Sequence, residues 1–248
     1  MLSPEEKQRY DRQIMIPGIG EAGQEKIKKA SVVIAGAGGL GSPVALYLTA
    51  AGVGTVRVID NDKVELSNLN RQILHGDKDI GKAKTASAYD KLTKLNKNIT
   101  IETVHITIDE SNAAQLTEGF DVIVDAMDNL STRFLLNKAA VKHKVPFIHG
   151  AVSGLEGRTM TVIPGKSACI KCVYHALPPE HKFPVLGTTP AIIGAIEATE
   201  VIKYITGIGT LLTDRLLIYD GLNMKFTELK VVRNVNCEHC GDAAMSNK

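Results

Sequence analysis

Residues 31–41 read Ser-Val-Val-Ile-Ala-Gly-Ala-Gly-Gly-Leu-Gly, an apolar run that passes straight into a cluster of glycines. Ser31 to Ala35 has the unbroken, β-branched character of a strand buried on both faces. The glycines satisfy G-x-G-x-x-G at Gly36, Gly38 and Gly41, and Gly39 makes the turn richer still. Pro43 to Ala51 predicts a helix, and Thr55 to Ile59 (TVRVI), ending in Asp60, a second strand. Together these segments make a βαβ unit. Glycines let the backbone approach a phosphate chain, and the helix behind them directs free N–H groups and a partial positive charge at it. Asp60 lies at about the 20-residue spacing at which a carboxylate meets ribose hydroxyls. The unit predicts a bound nucleotide without distinguishing NAD from ATP. The alternative is a turn that only packs a helix tightly on a strand.

Outward from this unit the alternation continues. Helices are expected at Lys82 to Leu95, Ser111 to Glu118 and Thr132 to His143, and strands at Ile99 to Ile106, Asp121 to Ala126 and Pro146 to His149. Strands separated by helices imply a doubly wound, Rossmann-like α/β fold with a mostly parallel sheet, its ligands beyond the carboxyl ends of the strands. From Arg158 onward, RTMTVI, Leu216 to Tyr219 and Lys225 to Val232 read as strands of an antiparallel C-terminal extension, with a helix at Pro190 to Thr206 between them. Ala176 to Thr189 is proline-rich and aperiodic, as expected of a long loop. The expected organisation is one domain, 1–248. It comprises an N-terminal helical segment (1–30), a nucleotide-binding core (31–157) and a C-terminal part (158–248).

A chain of 248 residues, 44% hydrophobic, is long enough to bury a proper core. Its 29 basic and 27 acidic residues give a net charge of +2, so no charge excess draws it to nucleic acid or a membrane surface. No apolar run approaches the roughly 20 residues of a membrane span, and the first residues lack the apolar core of a signal peptide. A cytoplasmic enzyme is the expectation.

The dense polar segment after Asp60, Asn61-Asp62-Lys63-Val64-Glu65-Leu66-Ser67-Asn68-Leu69-Asn70-Arg71-Gln72, favours ATP over NAD. A nicotinamide pocket has no need of an arginine here, whereas Arg71 and Lys84 suit a triphosphate and the charge developing on its leaving pyrophosphate. Asp128, just past the fourth strand, suits the Mg²⁺ that accompanies ATP. Each has a plainer reading: solvated charges for Arg71 and Lys84, and a helix N-cap for Asp128 and Asn129.

The four cysteines form two CxxC pairs, Cys169 with Cys172 and Cys237 with Cys240. A closed Cys₄ set that binds a structural Zn²⁺ is the simplest account. A redox CxxC, or His239 replacing one thiolate, are the alternatives. His149, His175 and His181 read as surface or loop residues.

In order along the chain, RYDRQI, GAGGLG, DNDKVELSNLNRQ, Lys84, DAMDN, ATEVIKY and CEHCG resemble the MoeB/ThiF/HesA family, bacterial relatives of ubiquitin-activating E1 enzymes. The resemblance covers nearly the whole chain. It implies ATP-dependent adenylylation of the C-terminal Gly-Gly of a ubiquitin-fold sulfur carrier, MoaD-like or ThiS-like, with release of pyrophosphate. It also implies nucleotide contacts from Gly39, Asp60, Ser67, Asn68, Arg71, Lys84, Asp128 and Asn129, a Cys₄ zinc site, and a homodimer in which Arg12 reaches the partner's ATP site. Many members carry a further cysteine in the loop before the long helix, but Pro178 to Thr189 contains none. The expected catalysis therefore stops at the adenylate and leaves sulfur transfer to a separate donor. A small-molecule or peptide carboxylate is the alternative substrate.

Overall fold

The computed structural model describes residues 1–174 and 184–241. Three short helices, α1 (Pro4–Arg9), α2 (Asp11–Ile14) and α3 (Gly20–Lys29), lead into β1 (Ser31–Ala35), α4 (Gly41–Ala51) and β2 (Thr55–Ile59). Then come α5 (Lys84–Leu95), β3 (Thr100–Val104), α6 (Ala113–Thr117), β4 (Val122–Asp125), α7 (Leu130–His143) and β5 (Phe147–Ser153). The chain ends with β6 (Glu156–Val162), α8 (Ile170–Val173), α9 (Thr188–Thr206), β7 (Arg215–Asp220) and β8 (Lys225–Lys230).

Helix ends follow local chemistry. Ser3 opens α1 with a capping box: its hydroxyl accepts from Glu6 N–H and its own N–H donates to the Glu6 carboxylate. Asn129 caps α7, while Gly52 and Gly207, both left-handed, stop α4 and α9.

The strands form one sheet in the order β3-β2-β1-β4-β5-β6-β7-β8, parallel through β5 and antiparallel beyond it. Successive residues of β1 feed opposite cores. Val32 and Ile34 join Leu48, Leu92 and Val201 on one face, and Val33 and Ala35 join Phe134, Leu136 and Phe147 on the other. That double burial is why β1 reads as an unbroken apolar run; each such side chain contributes about 1.5–3 kcal/mol. The connection after β1 leads to one neighbour, β2, while β4 flanks its other side, so a crevice opens at their carboxyl ends.

The differences from expectation are local. β5 runs on to Ser153, because β6 pairs with it over its whole length, and β6 spans the 157–158 boundary without a break in the sheet. Thr188 and Thr189, expected in the loop, form the first turn of α9, while residues 176–183 of that loop, with His181, and His175 just before it lie outside the described residues.

Candidate active site

The crevice is built first from glycines. A Cβ on Gly36, whose φ is 104°, would lie 2.5 Å from the Ala126 carbonyl oxygen, and one on Gly41 would lie 1.9 Å from that of Gly36. Side chains are therefore excluded where the glycine loop, α4 and the end of β4 converge. Ala37 N–H donates to Asp60 Oδ2 at 2.7 Å, so Asp60 clamps the loop as well as facing the crevice; Asp62 N–H occupies its other oxygen, also at 2.7 Å. Among the described residues the N–H groups of Gly38 and Gly39 have no acceptor. Such free donors ahead of a helix suit an anion.

The segment after Asp60 folds over this loop. Asn68 is buried, and its side-chain oxygen accepts from Glu65 N–H at 3.0 Å; its carbonyl accepts from Arg71 and Gln72. Arg71 packs beside Gly39 and donates from Nη1 to the Ser67 carbonyl at 2.9 Å. Ser67 is exposed, its hydroxyl on Glu65. Lys84 is not a solvated charge: it is 5% exposed at the start of α5, and its Nζ sits 2.8 Å from Asp62 Oδ2. Asp62, inside the quoted segment, was visible in the sequence but not its role as partner of Lys84. The start of α9 closes this side, with Pro190 against Gly39 and Gly187 against Asn70 and Arg71.

On the far side of the glycine loop, Asp128 is exposed and its carboxylate is met only weakly, at 3.5 Å, by the Asn129 amide; Asn129 spends its own oxygen capping Thr132 N–H at 2.9 Å. An exposed carboxylate with open oxygens at the sheet's carboxyl edge fits Mg²⁺. The loop behind it is held from within. Met127 N–H donates to Asp125 Oδ1 at 3.1 Å, and Arg133 Nη2 to the Met127 carbonyl at 2.5 Å.

His149, expected to be a surface or loop residue, is instead fully buried on β5, bonded to Asp125 Oδ2 at 2.7 Å and the Tyr174 hydroxyl at 3.2 Å. Alternate residues of a doubly covered strand face the core whatever their polarity, and Asp125 supplies the partner that makes burial tolerable. Burial lowers its pKa, against the opposing pull of Asp125. Glu197 of α9 is also fully buried; neither carboxylate oxygen has a partner among the described residues, and burial, with the Asp125 charge, raises its pKa well above the usual range. No sequence signal separates it from the solvated glutamates of a helix.

Arg12 is not part of this assembly. It is exposed on α2, whose Gln13 amide donates to the Ala51 carbonyl, at the opposite end of α4 from the glycine loop. An 11-residue helix separates them, about 16 Å of rise.

The four cysteines converge although 64 residues separate the pairs. Their sulfurs all lie within 4.8 Å of one another; Cys169 and Cys237 are 3.8 Å apart, and Cys172 and Cys240 3.6 Å. A tetrahedral Zn²⁺ with bonds of about 2.3 Å requires sulfurs about 3.8 Å apart, so the set fits. Asn234 and His239 N–H groups each point at a sulfur at 3.5 Å. The hydrogen bond with Cys169, together with burial, pushes the Cys240 thiol up. His239 is turned away from the sulfurs, its Nδ1 on Asn137 at 2.8 Å, which removes the reading in which it replaces a thiolate.

The profile of the ThiF family matches residues 10–239. The chain belongs to the ThiF family. Among the curated ThiF-family relatives, the sulfur carrier protein adenylyltransferase of Thermus thermophilus is 41% identical over 96% of this chain and 92% of its own length. The SAMP-activating enzyme E1 of Haloferax volcanii is 38% identical, over 96% and 90%. The adenylyltransferase and sulfurtransferase MOCS3 of Culex quinquefasciatus is 43% identical, but the chain spans only 57% of that protein. Among solved structures, E. coli MccB with MccA-N7isoASN superposes with a TM-score of 0.88 at 26% identity, over 97% of this chain and 76% of that one. Among the described residues no helix is long and apolar enough to cross a membrane.

Proposed function

We propose that this ThiF-family chain is an adenylyltransferase that uses ATP to activate the C-terminal glycine carboxylate of a ubiquitin-fold sulfur-carrier protein, releasing pyrophosphate. The observation that carries the reading is Arg71 packed on Gly39, beside Gly38 and Gly39 N–H groups that no described residue accepts; Lys84, paired with Asp62, and Asp128 follow the carboxyl ends of β2 and β4, the parallel neighbours of β1. Two relatives of nearly equal length support it, one named a sulfur carrier protein adenylyltransferase and the other a SAMP-activating enzyme E1.

In this reading the glycine loop, Asp60, Ser67, Asn68 and Asn129 hold the nucleotide. The carrier carboxylate, ionised near neutral pH, attacks the α-phosphorus; a carboxylate oxygen–phosphorus bond forms as the bond to pyrophosphate breaks, so no general base is required. Arg71 and Lys84 neutralise the charge that passes to the leaving group, and Arg12 of a second copy completes the set in a homodimer. Mg²⁺ held by Asp128 would supply further charge neutralisation on the phosphates. Electrostatics and positioning then carry the rate.

The sulfurs of the four cysteines lie within 4.8 Å of one another, a set that suits a structural Zn²⁺, and in this reading none of them forms a carrier thioester. The product is thus the adenylate, passed to a separate sulfur donor in the cytoplasm. The carrier docks on the C-terminal part, where Phe226 and Leu229 of β8 are about half exposed.

Incubation with a Gly-Gly-ended carrier, ATP and labelled pyrophosphate should give carrier-dependent exchange, and its absence sinks the proposal. Two of the MccB structures hold MccA-N7isoASN and MccA, and a small-molecule or peptide carboxylate is the second reading. Exchange with a panel of short peptides but not with the carrier would select it.

A further inference from the structure

His75 takes no part in the chemistry above, yet it is 7% exposed and touches the glycine loop from behind. Its Nε2 lies 2.9 Å from the Ala37 carbonyl oxygen and its Nδ1 2.9 Å from Ser87 Oγ, on the helix that begins with Lys84. A carbonyl can only accept, so Nε2 carries the proton and donates to it. Ser87 Oγ accepts from Lys91 Nζ at 2.8 Å, which frees its own hydrogen for Nδ1; Lys91 is in turn paired with Asp79. The ring is neutral in this network: burial lowers its pKa, the bond to Ala37 opposes that, and Lys91 and Lys84 add to it.

The Ala37 carbonyl and the Gly38 N–H belong to one planar trans peptide unit, so they point in opposite directions. Asp60 already fixes the Ala37 N–H on the other side of that residue. Holding the Ala37 oxygen toward the interior therefore aims the Gly38 N–H outward, where no described residue accepts it and where the nearest side-chain atom to a Cβ on Gly38 would be Gln72 Nε2, 3.7 Å away.

We infer that His75 is a positioning residue for the nucleotide: through the Ala37 carbonyl it presents the Gly38 N–H to a phosphate, and through Ser87 it ties that donor to the helix bearing Lys84. The inference rests on the adenylyltransferase reading.

The test is titration of the intact chain with MgATP, alongside ATP–pyrophosphate exchange with the Gly-Gly-ended carrier. Gln can reproduce the Nε2 donor and Asn cannot. His75→Asn should raise the ATP Kd and KM by about tenfold while kcat at saturating ATP stays within about twofold, and His75→Gln should remain within about threefold of the parent. Ser87→Ala should weaken ATP in the same direction, by less. Equal ATP affinity in His75→Asn and the parent overturns the inference, as does equal loss in His75→Asn and His75→Gln, the mark of a merely structural role. Should His75→Asn not fold, Ser87→Ala against His75→Gln decides, with loss in the first and not the second upholding it and any other pattern overturning it. A parent chain that does not bind MgATP overturns the adenylyltransferase reading and this inference together. A parent that binds and exchanges beside an unaltered His75→Asn removes this inference alone.

Discussion

β1 and β8 are strands of the same sheet held by different physics. Four of the five residues of β1 are buried, with α4 and α9 on one side and α7 on the other, whereas all six residues of β8 are exposed. The parallel half owes its order to apolar burial on two faces. The C-terminal end, with a bare edge strand, brings the sulfurs of Cys169, Cys172, Cys237 and Cys240 within 4.8 Å of one another, where the proposed Zn²⁺ would tie it down. The proposed nucleotide crevice lies in the half that is doubly covered, where loops leave buried strand ends.

If that division is right, changes at the crevice should abolish chemistry without touching stability. Asp128→Ala and Arg71→Ala are each expected to lower carrier-dependent exchange on the order of 10²–10³-fold, with an unchanged unfolding midpoint. A large drop in the midpoint would mean that the crevice is part of the structural core. The converse test is metal removal. Cys237→Ser, or strong chelation, should release one zinc per chain by elemental analysis and lower the thermal midpoint by on the order of 10 °C. ATP should still bind to the parallel half, measured by titration; loss of ATP binding alongside the zinc would break the comparison.

A smaller effect comes from Glu197, which lies on α9 between the two regions. Its folded pKa is raised above the ordinary 4.5, so the stability linked to its proton is fully present below about pH 4.5 and is lost as pH rises through the raised value. Glu197→Gln keeps the shape and removes the ionisable proton. The substitution should raise the thermal midpoint by about 3 °C at pH 8 and change it little near pH 5. A gain of equal size at both pH values would show that ionisation is not the cause. Smallest should be Glu228→Ala, which removes the exposed partner of Arg215 across β7 and β8, 2.9 Å away. A few tenths of a kcal/mol in chemical denaturation is expected. A loss of several kcal/mol would show that the exposed edge contributes more than its surface contacts suggest.

By itself the sequence determined the strand–glycine–helix–strand unit, the mostly parallel order and the C-terminal change of character. These signals are local: side-chain period, β-branching and the glycines that steric closeness demands at Gly36 and Gly41. It also marked Arg71, Lys84 and Asp128, because their positions after strand ends follow from the same pattern. Only the tertiary structure decided that Lys84 is buried against Asp62, that His149 lies in the core on Asp125, that Glu197 is sealed with no partner among the described residues, and that the four sulfurs meet. The reason is range. His149 and Asp125 stand 24 positions apart, His75 and Ala37 38, and Cys169 and Cys237 68. Burial and charge pairing belong to the packed neighbourhood, and no periodicity along the chain encodes which distant residue will supply it.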